Sequence, residues 1–181
     1  FNNLNNLYAY AVEHSPKTPE LILKLSKVLW YMLYECRGAS VPLQKEVEQL
    51  ENFAELSELQ IEDRGRVHFS RQWATECYRI APLILIVFIE NAFKHSAASQ
   101  VADIEIEVAV VDSPEGRLDF SCRNSYRSQS NTEHLSQGIG LANVKKRLAL
   151  LYPQAHSLHI EQSEETYRVS LSIELHQSPP S

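Results

Sequence analysis

Apolar residues recur at helical spacing through the first third of the chain and alternate strictly through most of the rest. Phe1, Leu4, Leu7, Tyr8 and Ala11 share one helical face with asparagines on the others, which predicts a helix from Phe1 to His14. Asn is a weak helix former, so this helix depends on a packing partner. Ser15-Pro16-Lys17 breaks it, and Thr18 reads as the N-cap of a second helix with Pro19 at its first position. Leu21, Leu25, Val28 and Met32 form one stripe on that helix; Ile22, Leu29, Leu33 and Cys36 form another beside it. So wide an apolar face suits packing on two sides, as in a bundle or a dimer. A third helix is expected from Pro42 to about Asp63, with Val47, Leu50, Ala54, Ser57 and Ile61 facing inward. Glu46, Glu48, Glu51, Glu55 and Glu58 on it read as a solvated outer face.

After Gly65 the period becomes two. Val67, Phe69 and Trp73 predict one strand, Ile104, Ile106, Val108 and Val110 a second, and Leu118, Phe120 and Cys122 a third after the turn at Asp112 to Gly116. Leu158 and Ile160 begin a short fourth; Tyr167, Val169, Leu171, Ile173 and Leu175 mark a longer fifth. Each has one apolar and one polar face, so the expected fold is α+β: an antiparallel or mixed sheet covered by helices on a single side.

Two covering helices carry the candidate chemistry. The run Pro82 to Ile89 is apolar all round and is expected to open a buried helix at Pro82 that continues through Glu90-Asn91-Ala92-Phe93-Lys94-His95. Asn91, Lys94 and His95 fall on one face of it, an amide, an ammonium and an imidazole suited to a metal-chelated phosphate. The alternative is a helix C-terminus where Lys94 and His95 only complement the dipole. Gly138 and Gly140 precede a second helix with Leu141, Val144, Leu148 and Leu151 as its core stripe. Glycines there let a ligand approach the backbone at a helix N-terminus, although a simple loop-to-helix turn has the same pattern. The polar stretch Ser125 to Gln137 reads as a lid over that turn.

Composition narrows the field. Seventeen basic and twenty-three acidic side chains give 17 − 23 = −6, which argues against nucleic acid as a partner. The longest apolar run, Ile80 to Ile89, is too short to cross a bilayer. Cys36, Cys77 and Cys122 show no metal-ligand spacing and no even disulfide framework, which suggests a reducing compartment. The start at Phe1, without Met, leads to the expectation of a piece of a longer protein.

Glu90-Asn91-Ala92-x-Lys94-His95, followed by Gly138-Ile139-Gly140-Leu141-x-Asn143-x-x-x-Arg147-Leu148, resembles the N-box and glycine box of sensor histidine kinases, in particular the LytS-like subfamily. Phe1 to Asn5 is similar to the tail of that family's phosphoacceptor motif, and Leu150 to Pro153 fits its ending. The resemblance implies a truncated helical dimerisation segment over 1–39, with the acceptor histidine upstream of Phe1. It implies an ATP-binding domain over 40–181, a two-layer α/β sandwich of the Bergerat type. His14, before a helix-breaking Ser15-Pro16, reads as a loop histidine rather than a substitute acceptor.

By the same resemblance Asn91 coordinates Mg²⁺ between the ATP phosphates, Lys94 and His95 face phosphate, and Glu90 orients water or the metal. Gly138, Gly140, Leu141 and Asn143 line the nucleotide, and Asn124 stands where most members place an adenine-reading Asp. Val87, one turn before Asn91, replaces the glutamate that ATP-hydrolysing and serine-phosphorylating relatives use as a base, which favours transfer to histidine. The implied protein is the cytoplasmic part of a bacterial inner-membrane sensor, a homodimer through its N-terminal helices. It would pass phosphate to a response regulator of LytTR-type output, and would meet membrane only through upstream regions. A degenerate interaction module and an ATP-hydrolysing relative are the alternatives.

Overall fold

The computed structural model describes residues 2–59, 61, 64–73, 78–98, 103–125 and 139–175. It begins with α1 (Asn2–Val12) and α2 (Thr18–Tyr34). Leu7, Leu21 and Val28 pack with Leu56 into a small core, joined at its edge by Leu25 and Met32. One of the two stripes on α2 is thus buried. Of the other, Ile22, Leu29 and Leu33 are each 45% or more exposed, while Cys36 is half-buried against the main core. Leu4 and Tyr8 of α1 are exposed as well, so the apolar face foreseen for that helix is buried mainly at Leu7. Thr18 does not cap α2. The turn is already closed from Ser15 and Lys17, and Lys17 takes the cap position in helical conformation without a side-chain bond. The Thr18 hydroxyl is buried and has no partner among the described residues. His14 lies in the preceding turn at φ 54°, exposed, as a loop histidine should be.

Pro42 precedes rather than opens α3 (Leu43–Glu58). It ends β1 (Val41–Pro42), which pairs antiparallel with β3 (Arg79–Ile80). Val47, Leu50, Ala54, Ser57 and Ile61 are buried as expected. Glu46 is not on a solvated face, because it is only 2% exposed. It stands three residues after Leu43 and four before Leu50, in phase with the apolar stripe, and the rotation that buries them buries it too.

The main sheet comprises β2 (Gly65–Gln72), β4 (Ile104–Asp112), β5 (Arg117–Ser125), β6 (His156–Gln162) and β7 (Thr166–Glu174), in the order β2-β4-β5-β7-β6. β2 runs parallel to β4 and every other neighbouring pair is antiparallel, so the sheet is mixed. Ile106, Val108, Val110, Phe120, Val169 and Leu171 are buried beneath α4 (Ile86–Ala98) and α5 (Ile139–Leu151). Phe88 meets Phe120 with ring centroids 5.7 Å apart, which ties α4 to the middle of the sheet.

α3 ends at Glu58 rather than near Asp63, and α4 and α5 also depart from expectation. α4 starts at Ile86 rather than Pro82, because Leu83 adopts φ 60° and no right-handed helix passes through that geometry. On α5, Leu151 is 45% exposed; the next residue, Tyr152, turns inward instead, its hydroxyl accepting the Ala81 N–H at 2.7 Å. Cys36 and Cys122 are free thiols. Among the described residues no helix is long and apolar enough to cross a membrane.

Candidate functional site

Phe88, Ile89, Ala92 and Phe93 are fully buried and hold α4 against the sheet. Their burial fixes how its polar second half is presented. Glu90 and Lys94 are exposed, Asn91 is half-buried, and His95 is buried. The His95 ring stacks on Tyr167 of β7 at 6.1 Å between centroids, so it turns toward the sheet while Lys94 turns toward solvent. Its Nδ1 has no hydrogen-bond partner among the described residues. Burial first, and the Lys94 charge second, lower the His95 pKa from its usual value, so the imidazole is neutral at physiological pH. A base kept neutral by folding stabilises the fold above its unfolded pKa. That stability is lost as pH falls below about 6.5. Urea midpoints between pH 7 and pH 5 should therefore drop more steeply for the parent chain than for His95→Gln; equal slopes would contradict this.

Asn124 shares the inward phase of β5 and is 1% exposed. Its amide nitrogen donates to Ser96 Oγ at 3.1 Å and to the Ser125 carbonyl at 2.9 Å. Ser96 Oγ also reaches that carbonyl, at 3.2 Å. The end of β5 is thus laced to the last turns of α4, beside His95.

α5 brings the glycine turn to the same helix. A Cβ built on Gly140 would lie 3.4 Å from Val87 Cγ1, one helical turn before Asn91. Leu141 is buried and Asn143 exposed. Gly138 and, apart from Ser125 at the end of β5, the lid expected from Ser125 to Gln137 lie outside the described residues. Because the contact at Gly140 is tight but not a clash, Gly140→Ala should alter stability by less than about 1 kcal/mol, its helix propensity offsetting the crowding. Gly140→Val should destabilise by roughly 1–3 kcal/mol. Thermal melts of the two variants check both.

Gly140 therefore meets α4 one turn before Asn91, and Asn124 meets the same helix at its other end, beside His95. Among the described residues no three His, Cys, Asp or Glu side chains cluster as a metal cage. A lone amide oxygen suits Mg²⁺ that arrives already chelated by phosphates, and the half-buried Asn91 beside the exposed Lys94 offers that chemistry. The 590 Å³ cleft lined by Val67, Ser70, Glu107, Arg123 and Arg168 is on the other side of the molecule. It is a trough on the sheet face left uncovered by a two-layer fold.

Comparison with known proteins bears on the same elements. The family profile described as Histidine kinase matches residues 1–65. Sensor protein LytS of Staphylococcus saprophyticus is 28% identical over 191 residues, covering 97% of this chain and 32% of that protein. LytS of Bacillus subtilis is 25% identical over 195 residues, covering 98% and 32%. The resemblance to the LytS-like sensor histidine kinases holds. Among solved structures, the catalytic domain of histidine kinase ThkA has a TM-score of 0.53 at 16% identity, covering 77% of this chain and 97% of that one. The histidine kinase domain of a blue-light activated kinase from Erythrobacter litoralis has 0.57 at 12% identity, covering 88% and 75%. The mixed sheet with helices on one face is thus the histidine kinase catalytic fold, preceded by helices. The chain spans about a third of the length of the LytS relatives.

Two residues of this histidine kinase fold were not foreseen as structural to the site. Arg147 donates to the Pro82 carbonyl at 2.8 Å, across from α5 to the root of α4. Glu46 is buried and accepts the Tyr31 hydroxyl; burial raises its pKa, and the backbone of Leu83 and Leu85 in the same segment opposes that rise. The phase of Glu46 with Leu43 and Leu50 was the one signal in the sequence that could have found it.

Proposed function

We propose that this chain is the ATP-binding catalytic region of a two-component sensor histidine kinase. The observation that carries the reading is the meeting of Gly140 with α4 one turn before Asn91, which joins the two motif segments at one place. Asn91 Oδ1 would hold Mg²⁺, whose contribution when bound is to draw charge from the transferred phosphoryl group. Lys94 offers its ammonium to the phosphates from solvent, and the backbone at Gly138 and Gly140 lets them approach the N-terminus of α5. Neutral His95 offers a ring nitrogen without charge, and Glu90, exposed beside Asn91, is placed to orient water. Leu141 and Asn143 would flank the nucleotide. With both Asn124 donors spent on Ser96 and Ser125, Oδ1 is the atom left to accept an adenine amine.

Val87 sits on the Asn91 side of the glycine turn and has no proton-accepting atom. An imidazole acceptor needs no base at that position, so γ-phosphate transfer to histidine is favoured over hydrolysis. In the whole protein the acceptor would lie in the dimerisation segment to which 1–39 belongs, with 40–181 as the ATP-binding domain. The bare stripe Ile22, Leu29 and Leu33 suits homodimerisation. From histidine the phosphate would pass to a response regulator, of LytTR-type output, on the cytoplasmic side of a membrane-bound sensor.

Isothermal titration with Mg²⁺ and ADP tests the nucleotide site. Saturable one-site heat supports it. No heat in a folded chain would favour the degenerate interaction module instead, a reading encouraged by Asn124 in place of an acid.

A further inference from the structure

Residues 81–85 lead from β3 into α4, and Leu83 within them holds φ 60°, a left-handed geometry that leucine disfavours. Such a turn persists only where its surroundings over-determine it. Ala81 and Pro82 are buried, so the amide of the one and the carbonyl of the other each need a partner. Both partners come from one helix and its immediate continuation. The Tyr152 hydroxyl takes the Ala81 N–H at 2.7 Å, and Arg147 gives to the Pro82 carbonyl at 2.8 Å. Tyr152 follows α5 directly and moves with it, because its own N–H bonds the Leu148 carbonyl at 2.9 Å.

The contacts along this pair run in opposite chain directions. As α5 advances from Gly140 through Arg147 to Tyr152, its partners step back from Val87 to Pro82 to Ala81. The two ends are not alike. Toward Asn91 the contact is Gly140 against Val87, van der Waals packing without a directional bond. Leu141, Val144 and Leu148 bury the inner face of α5, a contribution that is equally non-directional. The hydrogen bonds stand at the far end, about 10 Å further along the helix. A helix is stiff over that length, so the bonds at its far end set how the near end sits. They fix the glycine turn relative to the root of α4, and through α4 relative to Asn91. Removing either bond leaves a buried amide or carbonyl unpaired, and the segment that must rearrange to recover is the strained one at Leu83.

We infer that Arg147 and Tyr152 are positioning residues for the nucleotide site: by clamping 81–82 they set the gap between the glycine turn and Asn91. The inference rests on the reading of that gap as the nucleotide site. It gives Arg147 a role other than a cation for phosphate, since its guanidinium is engaged with Pro82, seven residues beyond Gly140.

The test uses Arg147→Met, Arg147→Lys and Tyr152→Phe in the full-length protein, with Tyr78→Phe as control. Tyr78→Phe also loses a hydroxyl bond to backbone, the one to the Pro114 carbonyl at 2.6 Å, in the turn between β4 and β5. Amide exchange is followed at Phe88, whose N–H bonds the Leu85 carbonyl at the root of α4, together with affinity for a fluorescent ATP analogue with Mg²⁺. Arg147→Met should weaken the analogue by about tenfold and Tyr152→Phe by roughly threefold, with faster exchange at Phe88 in both. Because the two act on one segment, the double variant should lose less than the product of the single losses. Arg147→Lys keeps a donor and should recover part of the loss, and Tyr78→Phe should match the parent in both readouts. Should Arg147→Met unfold, Tyr152→Phe, which removes one oxygen and no packing volume, decides alone. Parent-like affinity in folded Tyr152→Phe overturns the inference whatever Arg147→Met shows, because a loss confined to the cation is what direct phosphate contact would give. A parent chain that does not bind the analogue, yet loosens at Phe88 in both variants, keeps the clamp and overturns the nucleotide reading instead.

Discussion

Alanine in place of Asn91 is expected to abolish Mg²⁺-dependent ATP binding while leaving the fold intact. The side chain is half-buried, and the residues that anchor α4 are its neighbours Phe88, Ile89, Ala92 and Phe93, none of which the substitution touches. Alanine is also the better helix former by about 0.5 kcal/mol, so the melting temperature should hold or rise slightly. What is lost is the one protein oxygen assigned to the metal. Without it Mg²⁺ has only phosphate and water oxygens, and Lys94 alone faces the charge of the chelate. The expected loss is about 100-fold or more in affinity, near 2.7 kcal/mol. A fluorescent ATP analogue titrated with and without Mg²⁺ separates the metal from the nucleotide: the deficit belongs to the arm with metal. A variant that titrates like its parent in that arm would remove Asn91 from the site.

Much of this arrangement can be read along the chain, for a physical reason that differs by element. Strand alternation at Ile104 to Val110 and at Leu118 to Cys122 was legible because one face of each strand is buried and the other is not. Asn124 continues the inward phase of Cys122, yet alternation says nothing of neighbours. That β2 runs parallel to β4 and that β7 lies between β5 and β6 depend on pairings across long sequence separations. The two stripes of α2 were legible as a wide apolar face, and only the folded chain shows which stripe the domain itself covers. The start of α4 was misplaced because Pro82 is a good first helical residue by local preference. Its neighbour Leu83 is instead held left-handed in a segment gripped by Arg147 and Tyr152, both distant in sequence. Glu46 was hidden for the opposite reason: four other acids on α3 share its type, and charge outweighed phase in the reading. Its burial is a tertiary fact, matched by the hydroxyl of Tyr31 on α2. Asn91, Lys94, Gly140 and Asn143 were named by motif, and the packing of Gly140 on Val87 brings α5 against α4 one turn before Asn91.

Gly65→Ala should be among the most damaging single-methyl additions in the chain. Gly65 is the first residue of β2 and pairs with Ile104, the first of β4. A Cβ there would stand 2.5 Å from the Ile104 carbonyl oxygen and 2.6 Å from its Cβ. Neither atom is the end of a flexible side chain, and Ile104 is 1% exposed, so it has nowhere to retreat. β2 is an edge strand and must move off at that end, breaking the first rungs of the parallel pair. The cost expected for such overpacking is about 2–3 kcal/mol. At this chain length that corresponds to a drop of roughly 5–10 °C in the melting temperature. Gly38→Ala is the matched control, since its Cβ would come no closer than 3.4 Å to any atom beyond its immediate neighbours and should be nearly neutral. The effect should also reach the site. Glu105, next to Ile104, donates its N–H to Ser125 Oγ at 2.9 Å, and Ile106 pairs with Asn124. A displaced Ile104 therefore slackens the strand end that fixes Asn124 against Ser96. Nucleotide affinity in Gly65→Ala should fall by a few-fold at temperatures where the chain is still folded, whereas in Gly38→Ala it should not. A melting temperature within a degree or two of the parent would show that the start of β2 does not lie against Ile104 as described.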